Sequence, residues 1–175
     1  MPVTLVGANV DGKPNFMTIA FIGIVNINPG MIALGANHNH LTSKGITQNQ
    51  TFSVNLPSQD MLEITDFVGI NSGKKVDKSK LFEVFYGKLE NAPMIKDCPI
   101  NLECRVLEIM DKGGTDQIII GEIIETYAEE KYLTDGSPDI TKIKPPVFSM
   151  GQNNYYTIGE YLGKAWSMGK NYTKP

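Results

Sequence analysis

A chain of 175 residues, 41% hydrophobic and 20% charged, is long enough for one sizeable core and shows none of the bias of fibrous or disordered proteins. Its net charge of −3, with Arg105 the lone arginine among sixteen basic residues, gives no field to draw it onto nucleic acid or a membrane surface. No apolar run approaches the roughly 20 residues that cross a bilayer, the opening MPVTLVGANVDG has no basic leader, and Cys98 and Cys104 read as unpaired packing thiols, so a cytoplasmic setting is expected.

No repeat or linker interrupts the chain, and residues 1–175 read as a single domain. VTLVGA predicts a first strand, and Asp11-Gly12 a hairpin turn into the next. Residues 16–25, FMTIAFIGIV, are rich in β-branched and aromatic side chains; they predict one long, mostly buried strand, closed by Asn28-Pro29-Gly30. MIALGA predicts another strand, Leu41 to about Gln50 a helix, and TFSVNL a return to strand. In SQDMLEITDFV, Ser58 at a cap position and apolar residues at 61, 62, 64, 67 and 68 predict an amphipathic helix. Residues 71–99 form a long irregular excursion, of the kind that covers a site or a partner. NLECRVLEIM then alternates, with Leu102, Cys104 and Val106 on one face and Glu103 and Arg105 on the other, until its phase slips at Val106-Leu107 as at a β-bulge. Gly113-Gly114 turns the chain into DQIIIGEIIETYAE, another long strand, and residues 125–144 read as a solvated surface hairpin. Strands in hairpin order, without βαβ alternation, predict a closed antiparallel barrel with a few helices.

The only two histidines, His38 and His40, stand in ALGANHNHLTSKGI. In an extended segment they point to opposite sides, and no cluster of Cys, His or carboxylate lies nearby, so no metal site is expected. Two readings remain. Asn39 or Thr42 caps a helix, or the helix start holds an anion, its free N–H groups joined by a Thr42 or Ser43 hydroxyl and the Lys44 ammonium around a phosphate. The stretch GKPNFMTIAF raises a second question, because Asn15 and Thr18 sit in an apolar strand where each needs a partner. Either they hydrogen-bond across the sheet, or this strand's edge offers amides and side chains to a flat polar ring.

Taken in order, PNFMTIAF, Asn-Pro-Gly, the spacing of His40, Thr42 and Ile46, FSVNLP, SGKKVDKSKLF, YGKLENAPMIKDCPINLECRV, IIIGEI, YLTDGSPDI and GKAWSMGK resemble the flavin reductase-like family in its flavoredoxin branch, over nearly the whole chain. The resemblance implies a mainly β fold: an FMN-binding split β-barrel, antiparallel and Greek-key-like with a few helices, forming a homodimer with one FMN per subunit near the interface. By matched position, Asn15, Phe16, Met17, Thr18, Ile19 and Ala20 are expected along the isoalloxazine. Gly35, Ala36 and Asn37 would follow the ribityl chain, and His40, Thr42 and Lys44, with Leu41 among them, would surround the phosphate. Asn71, Ser72, Gly73, Lys74 and Lys75 are expected near the flavin or the partner's site.

The implied activity is that of an FMN oxidoreductase passing electrons from NAD(P)H or a reduced protein. The alternative is a flavoredoxin-type carrier with no NAD(P)H turnover of its own. Backbone N–H groups of Thr18 to Ala20 are candidate donors to the ring, with the Thr18 hydroxyl near N5, and no catalytic side-chain acid or base is required. The chain lacks a Gly-x-Gly-x-x-Gly fingerprint, so NAD(P)H would bind transiently. Tyr155, Tyr156, Tyr161 and Trp166 read as core or dimer contacts, or as a shield for the ring. A barrel that binds oligonucleotide is the competing class; acidic charge and the lack of a lysine-aromatic stripe speak against it.

Overall fold

The computed structural model describes residues 1–173. Strands β1 (Thr4–Val10) and β2 (Lys13–Ile19) form a hairpin across Asp11 and Gly12, which take φ of 50° and 77°. The Asp-Gly pair is suited to such a left-handed turn. The chain does not then continue as one strand to residue 25. It breaks at Ala20–Phe21 and resumes as β3 (Ile22–Asn26), which pairs with β4 (Met31–Asn37). The cause lies across the sheet: the Phe21 carbonyl accepts the Gly35 amide at 2.8 Å, so the chain passes from β1 to the opposite edge. Nor is this second part buried, since Ile24 and Val25 are both more than half exposed.

Helix α1 (Leu41–Asn49) leads to β5 (Thr51–Leu56), and a 3₁₀ turn at Gln59–Met61 leads to α2 (Leu62–Ile70). Ser58 makes no capping bond; the Gln59 amide instead donates to the Lys144 carbonyl at 2.8 Å and fixes the entry. The excursion over 71–99 contains only the two-residue strands β6 (Val84–Phe85) and β7 (Met94–Ile95). Strands β8 (Ile100–Met110) and β9 (Asp116–Ala128) follow, and their register slips between Val106 and Glu108, where the sequence pattern loses phase.

The antiparallel sheet runs β2-β1-β5-β8-β9-β4-β3. It curls so far that Met17 and Ile19 of β2 share one core with Leu34 and Ala36 of β4, together with Phe52, Cys104, Ile119 and Ile46 of α1. No ladder joins β2 to β4 among the described residues, so the barrel stays split along that seam. Helix α1 lies close on β1: a Cβ on Gly45 would stand 2.4 Å from the Asn9 carbonyl oxygen, which only glycine tolerates. A second cluster (Leu5, Phe16, Val68, Ile95 and Cys98) seats α2 and the excursion against the outer face of β1 and β2.

That cover overturns one reading of the β8 pattern. Glu103 alternates as a solvent-facing residue, yet it is fully buried. The Lys88 and Leu89 amides donate to its carboxylate at 2.9 and 2.8 Å, and the Tyr127 hydroxyl at 2.8 Å. Beyond β9, the hairpin of β10 (Leu133–Thr134) and β11 (Ser137–Pro138) is largely exposed, and α3 (Ile140–Ile143) buries Ile143. Strands β12 (Val147–Ser149) and β13 (Asn154–Tyr156) pair and dock on the N-terminus, where the Phe148 amide donates to the Met1 carbonyl at 2.8 Å. Among the described residues no helix is long and apolar enough to cross a membrane.

Candidate functional site

The open seam leaves β2 as an edge strand, and alternate backbone donors of an edge strand point away from its neighbour. Along that edge lies a groove in two connected parts that share Thr18, His40, Gly69 and Ile70. The first part, about 230 Å³, is bounded by Asn15, Leu41, Thr42, Asn71, Ser72 and Lys78. The second, about 280 Å³, is bounded by Ile19, Ala20, Phe21, Gly35, Phe148 and Tyr155, with Asn37, Asp66 and Asp116 at its margins. One end is therefore polar and cationic, and the other is apolar and aromatic.

At the polar end the Asn15 amide nitrogen donates to the Thr42 hydroxyl at 2.8 Å, in buried surroundings. Both polar residues thus find partners, and the partners belong to one site. His40 is the N-cap of α1 and makes no side-chain capping bond, so the first-turn N–H groups of that helix have no side-chain acceptor. Ser43 is committed elsewhere, its hydroxyl donating to the Asn37 carbonyl at 2.8 Å.

The charge at this end comes from Lys78. It is 4% exposed, and its ammonium donates to the Phe16 and Val68 carbonyls at 3.1 and 2.8 Å, tying β2 to α2. Among the described residues no carboxylate pairs with it. Burial lowers its pKa to about 8. Burial, then the Lys78 charge, also lowers the pKa of His40. A buried cation without a counter-charge is costly, and an anion in the groove would relieve it.

Of the residues singled out from the sequence, Asn15, Phe16, Met17, Thr18, Ile19, Ala20, Gly35, Asn37, His40, Leu41, Thr42, Asn71 and Ser72 all border this groove. Ala36 does not; it is fully buried in the barrel core, because alternate residues of β4 face inward. Lys44 does not either: its exposed ammonium lies 3.8 Å from Asp11. Asn15 stands at the polar end with Thr42, and Ala20 borders the apolar end, so β2 runs along the groove. The Thr18 hydroxyl is also engaged, donating to the Thr65 carbonyl at 2.6 Å.

Lys74 and Lys75 lie beyond the groove, in an adjoining pocket. Of the C-terminal aromatics, Tyr155 forms groove wall, and its hydroxyl donates to Asp66 at 2.8 Å. Tyr161 and Trp166 are 83% and 96% exposed. Sequence reasoning missed Lys78 because nothing in SGKKVDKSKLF sets one lysine apart from its exposed neighbours.

Comparison with known proteins adds to this geometry. The model of the flavin reductase like domain matches residues 1–148. The chain is similar to the flavoredoxin of Methanosarcina acetivorans, with 52% identity and a TM-score of 0.95 over 97% of this chain and 91% of that one. It is similar to the flavoredoxin of Desulfovibrio vulgaris (Miyazaki F), with 34% identity and a TM-score of 0.88 over 97% and 92%. An uncharacterised protein of Archaeoglobus fulgidus is 29% identical over 130 residues, 73% of this chain and 72% of its own length.

Proposed function

Since the chain belongs to the flavin reductase-like family, with a flavoredoxin-type fold, we propose that its groove holds FMN and that it transfers electrons through it. The observation that carries this reading is the pairing of a buried Lys78, with no carboxylate partner among the described residues, at one end with an apolar, aromatic slot at the other. A phosphate monoester and a fused ring system joined by a polar chain have that same polarity. Lys78, Asn15, Thr42 and the first turn of α1 would hold the phosphate; Ala20, Phe21, Gly35 and Tyr155 would flank the ring.

Bound FMN supplies the electron chemistry, and the chain supplies placement, field and exclusion of water. The edge donors of β2 offer hydrogen bonds that need no reorganisation when charge grows on the ring. Phe148 and Tyr155 narrow the apolar end, their ring centroids 5.6 Å apart. The electron donor is NAD(P)H or a reduced protein. The similarity to two flavoredoxins favours the second, a carrier without nucleotide turnover of its own.

A homodimer is part of the same proposal, supported by the exposed apolar surface of Ile24, Val25, Ile27, Leu162 and Trp166. The deciding experiment is direct. Protein purified without added flavin should be yellow, with FMN released on denaturation. Anaerobic NADPH should bleach it if nucleotide is the donor and leave it yellow if a protein is. Colourless protein that takes up no FMN refutes the flavin reading.

A further inference from the structure

Asn101 and Glu103 stand two residues apart on β8, so they share its outer face, and both are buried. Glu103 is fully engaged by its three donors. So is Asn55, which lies opposite Asn101 in the β5–β8 register: its side-chain oxygen accepts the Ile95 amide at 2.9 Å, and its nitrogen donates to the Leu5 carbonyl at 2.7 Å. Asn101 is engaged on one side only. Its nitrogen donates to the Cys98 carbonyl at 3.2 Å, while its side-chain oxygen meets no donor among the described residues, although the residue is only 3% exposed. A buried acceptor left bare is costly.

Asn101 borders a pocket of about 390 Å³, and no residue bordering that pocket borders the groove along β2. Val84, Phe85, Cys98, Tyr127 and Ala128 make its walls apolar, and the Phe85 and Tyr127 rings meet edge to face at 5.7 Å. The other polar groups around it are already paired. Lys96 meets Glu83 at 2.6 Å, Glu129 meets Lys131 at 2.8 Å, and the Tyr127 hydroxyl donates to Glu103. What remains is one acceptor in apolar, charge-balanced surroundings, which complements an uncharged ring carrying a single N–H or O–H. The Asn101 oxygen is closed to solvent, so that donor would reach it as the wall gives slightly. Part of the wall is β6 and β7, two residues each, which form a small sheet of their own.

We propose that this pocket is a second binding site, for a small neutral aromatic molecule that donates one hydrogen bond to the Asn101 side-chain oxygen. The site stands apart from the groove and does not depend on the flavin reading. The full-length protein as purified is titrated by calorimetry with indole and with benzofuran, which share one shape and differ in carrying an N–H or a bare ring oxygen. Wild type should bind indole about tenfold or more tightly than benzofuran. Asn101→Leu should abolish that preference. Ala128→Trp, which adds a large ring to the pocket wall, should weaken both probes by about tenfold or more.

Each contrary outcome is distinct. Equal affinity of wild type for the two probes overturns the proposal, because the hydrogen bond would then contribute nothing. No saturable binding of indole overturns it too, and leaves the bare acceptor to a buried water. Indole that competes with FMN has entered the groove, which overturns the placement of the site. A preference that survives Asn101→Leu assigns the donor's partner to another residue and overturns it as well. The comparison of indole with benzofuran on wild type needs no variant, so misfolding of a variant cannot hide the answer.

Discussion

Replacing Lys78 by methionine keeps the length of the side chain and removes its charge. The ammonium is buried, and it donates at 3.1 and 2.8 Å to the Phe16 and Val68 carbonyls. Each unit of negative charge on a phosphate about 4 Å away would interact with it by about 4 kcal/mol at an effective dielectric of about 20. Hydrogen bonds to charged groups contribute about 1.5–3 kcal/mol net. A loss of about 2 kcal/mol, on the order of 30-fold in FMN affinity, is therefore expected for Lys78→Met near neutral pH. Flavin fluorescence quenching would measure it, with riboflavin as the control ligand because it lacks the phosphate; its affinity should change by less than about threefold. Lys44→Ala is the control variant, since its ammonium faces Asp11 and not the groove. The pH dependence gives a second handle. Lys78 in the free protein has a pKa of about 8; below that pH it is charged and FMN affinity is full, and above it affinity falls, whereas the methionine variant should show no such fall. Equal losses for riboflavin and FMN, or a Lys44→Ala loss as large as that of Lys78→Met, would refute the assignment of the phosphate to Lys78.

Gly73→Ala forces a methyl group to within 2.6 Å of the Asn15 side-chain oxygen; it should break the Asn15–Thr42 bond and weaken FMN by about tenfold, read by the same titration. Glu103→Leu leaves the Lys88 and Leu89 amides and the Tyr127 hydroxyl without their acceptor; urea unfolding should show a loss of about 3 kcal/mol or more, and a loss below about 1 kcal/mol would contradict the burial argument. Burial pushes the thiols of Cys98 and Cys104 far above the usual range; a thiol reagent at mildly alkaline pH should label neither in native protein and both after denaturation.

The parts of the fold that were legible in the sequence are those fixed locally. The Asp11-Gly12 hairpin, the Asn28-Pro29-Gly30 turn, helix α1 and the slipped phase at Val106 depend on residues within a few positions of each other. The failures all involve distant partners. Nothing near Ala20 announces that Phe21 will meet Gly35, which is what ends β2. Nothing near Glu103 announces that residues 88 and 89 will cover it. The candidate site divides the same way: Asn15 and Thr42 stand out as polar residues in demanding positions, and the structure brings them together. Lys44 stands out for its place in a helix's first turn, yet the angular spacing of a helix turns it toward Asp11. The lysine that does enter the groove comes from the excursion over 71–99, where no periodicity orders the side chains.

On the proposed reading of the groove, Lys78 would also link the fold to the ligand, with a definite sign. A barrel closed between β2 and β4 would satisfy the β2 edge and leave no groove. Here the edge stays open and is covered by α2, which Lys78 ties to β2 through two carbonyls. That tie places a charge in the interior. Its pKa falls from the ordinary 10.5 to about 8, so the free protein bears a penalty of about 3 kcal/mol below pH 8 that fades as pH rises from 8 to 10.5. Within that window the unfolded chain holds the proton and the folded chain does not, and stability from this group therefore increases with pH. A phosphate bound there would supply the missing counter-charge and offset the penalty. The rise in melting temperature on adding saturating FMN should accordingly be several degrees larger near pH 7 than near pH 10, and Lys78→Met should make the two equal. An FMN shift independent of pH in wild type would mean that the ligand's anion lies elsewhere, and that the buried lysine serves only to hold α2 against the sheet.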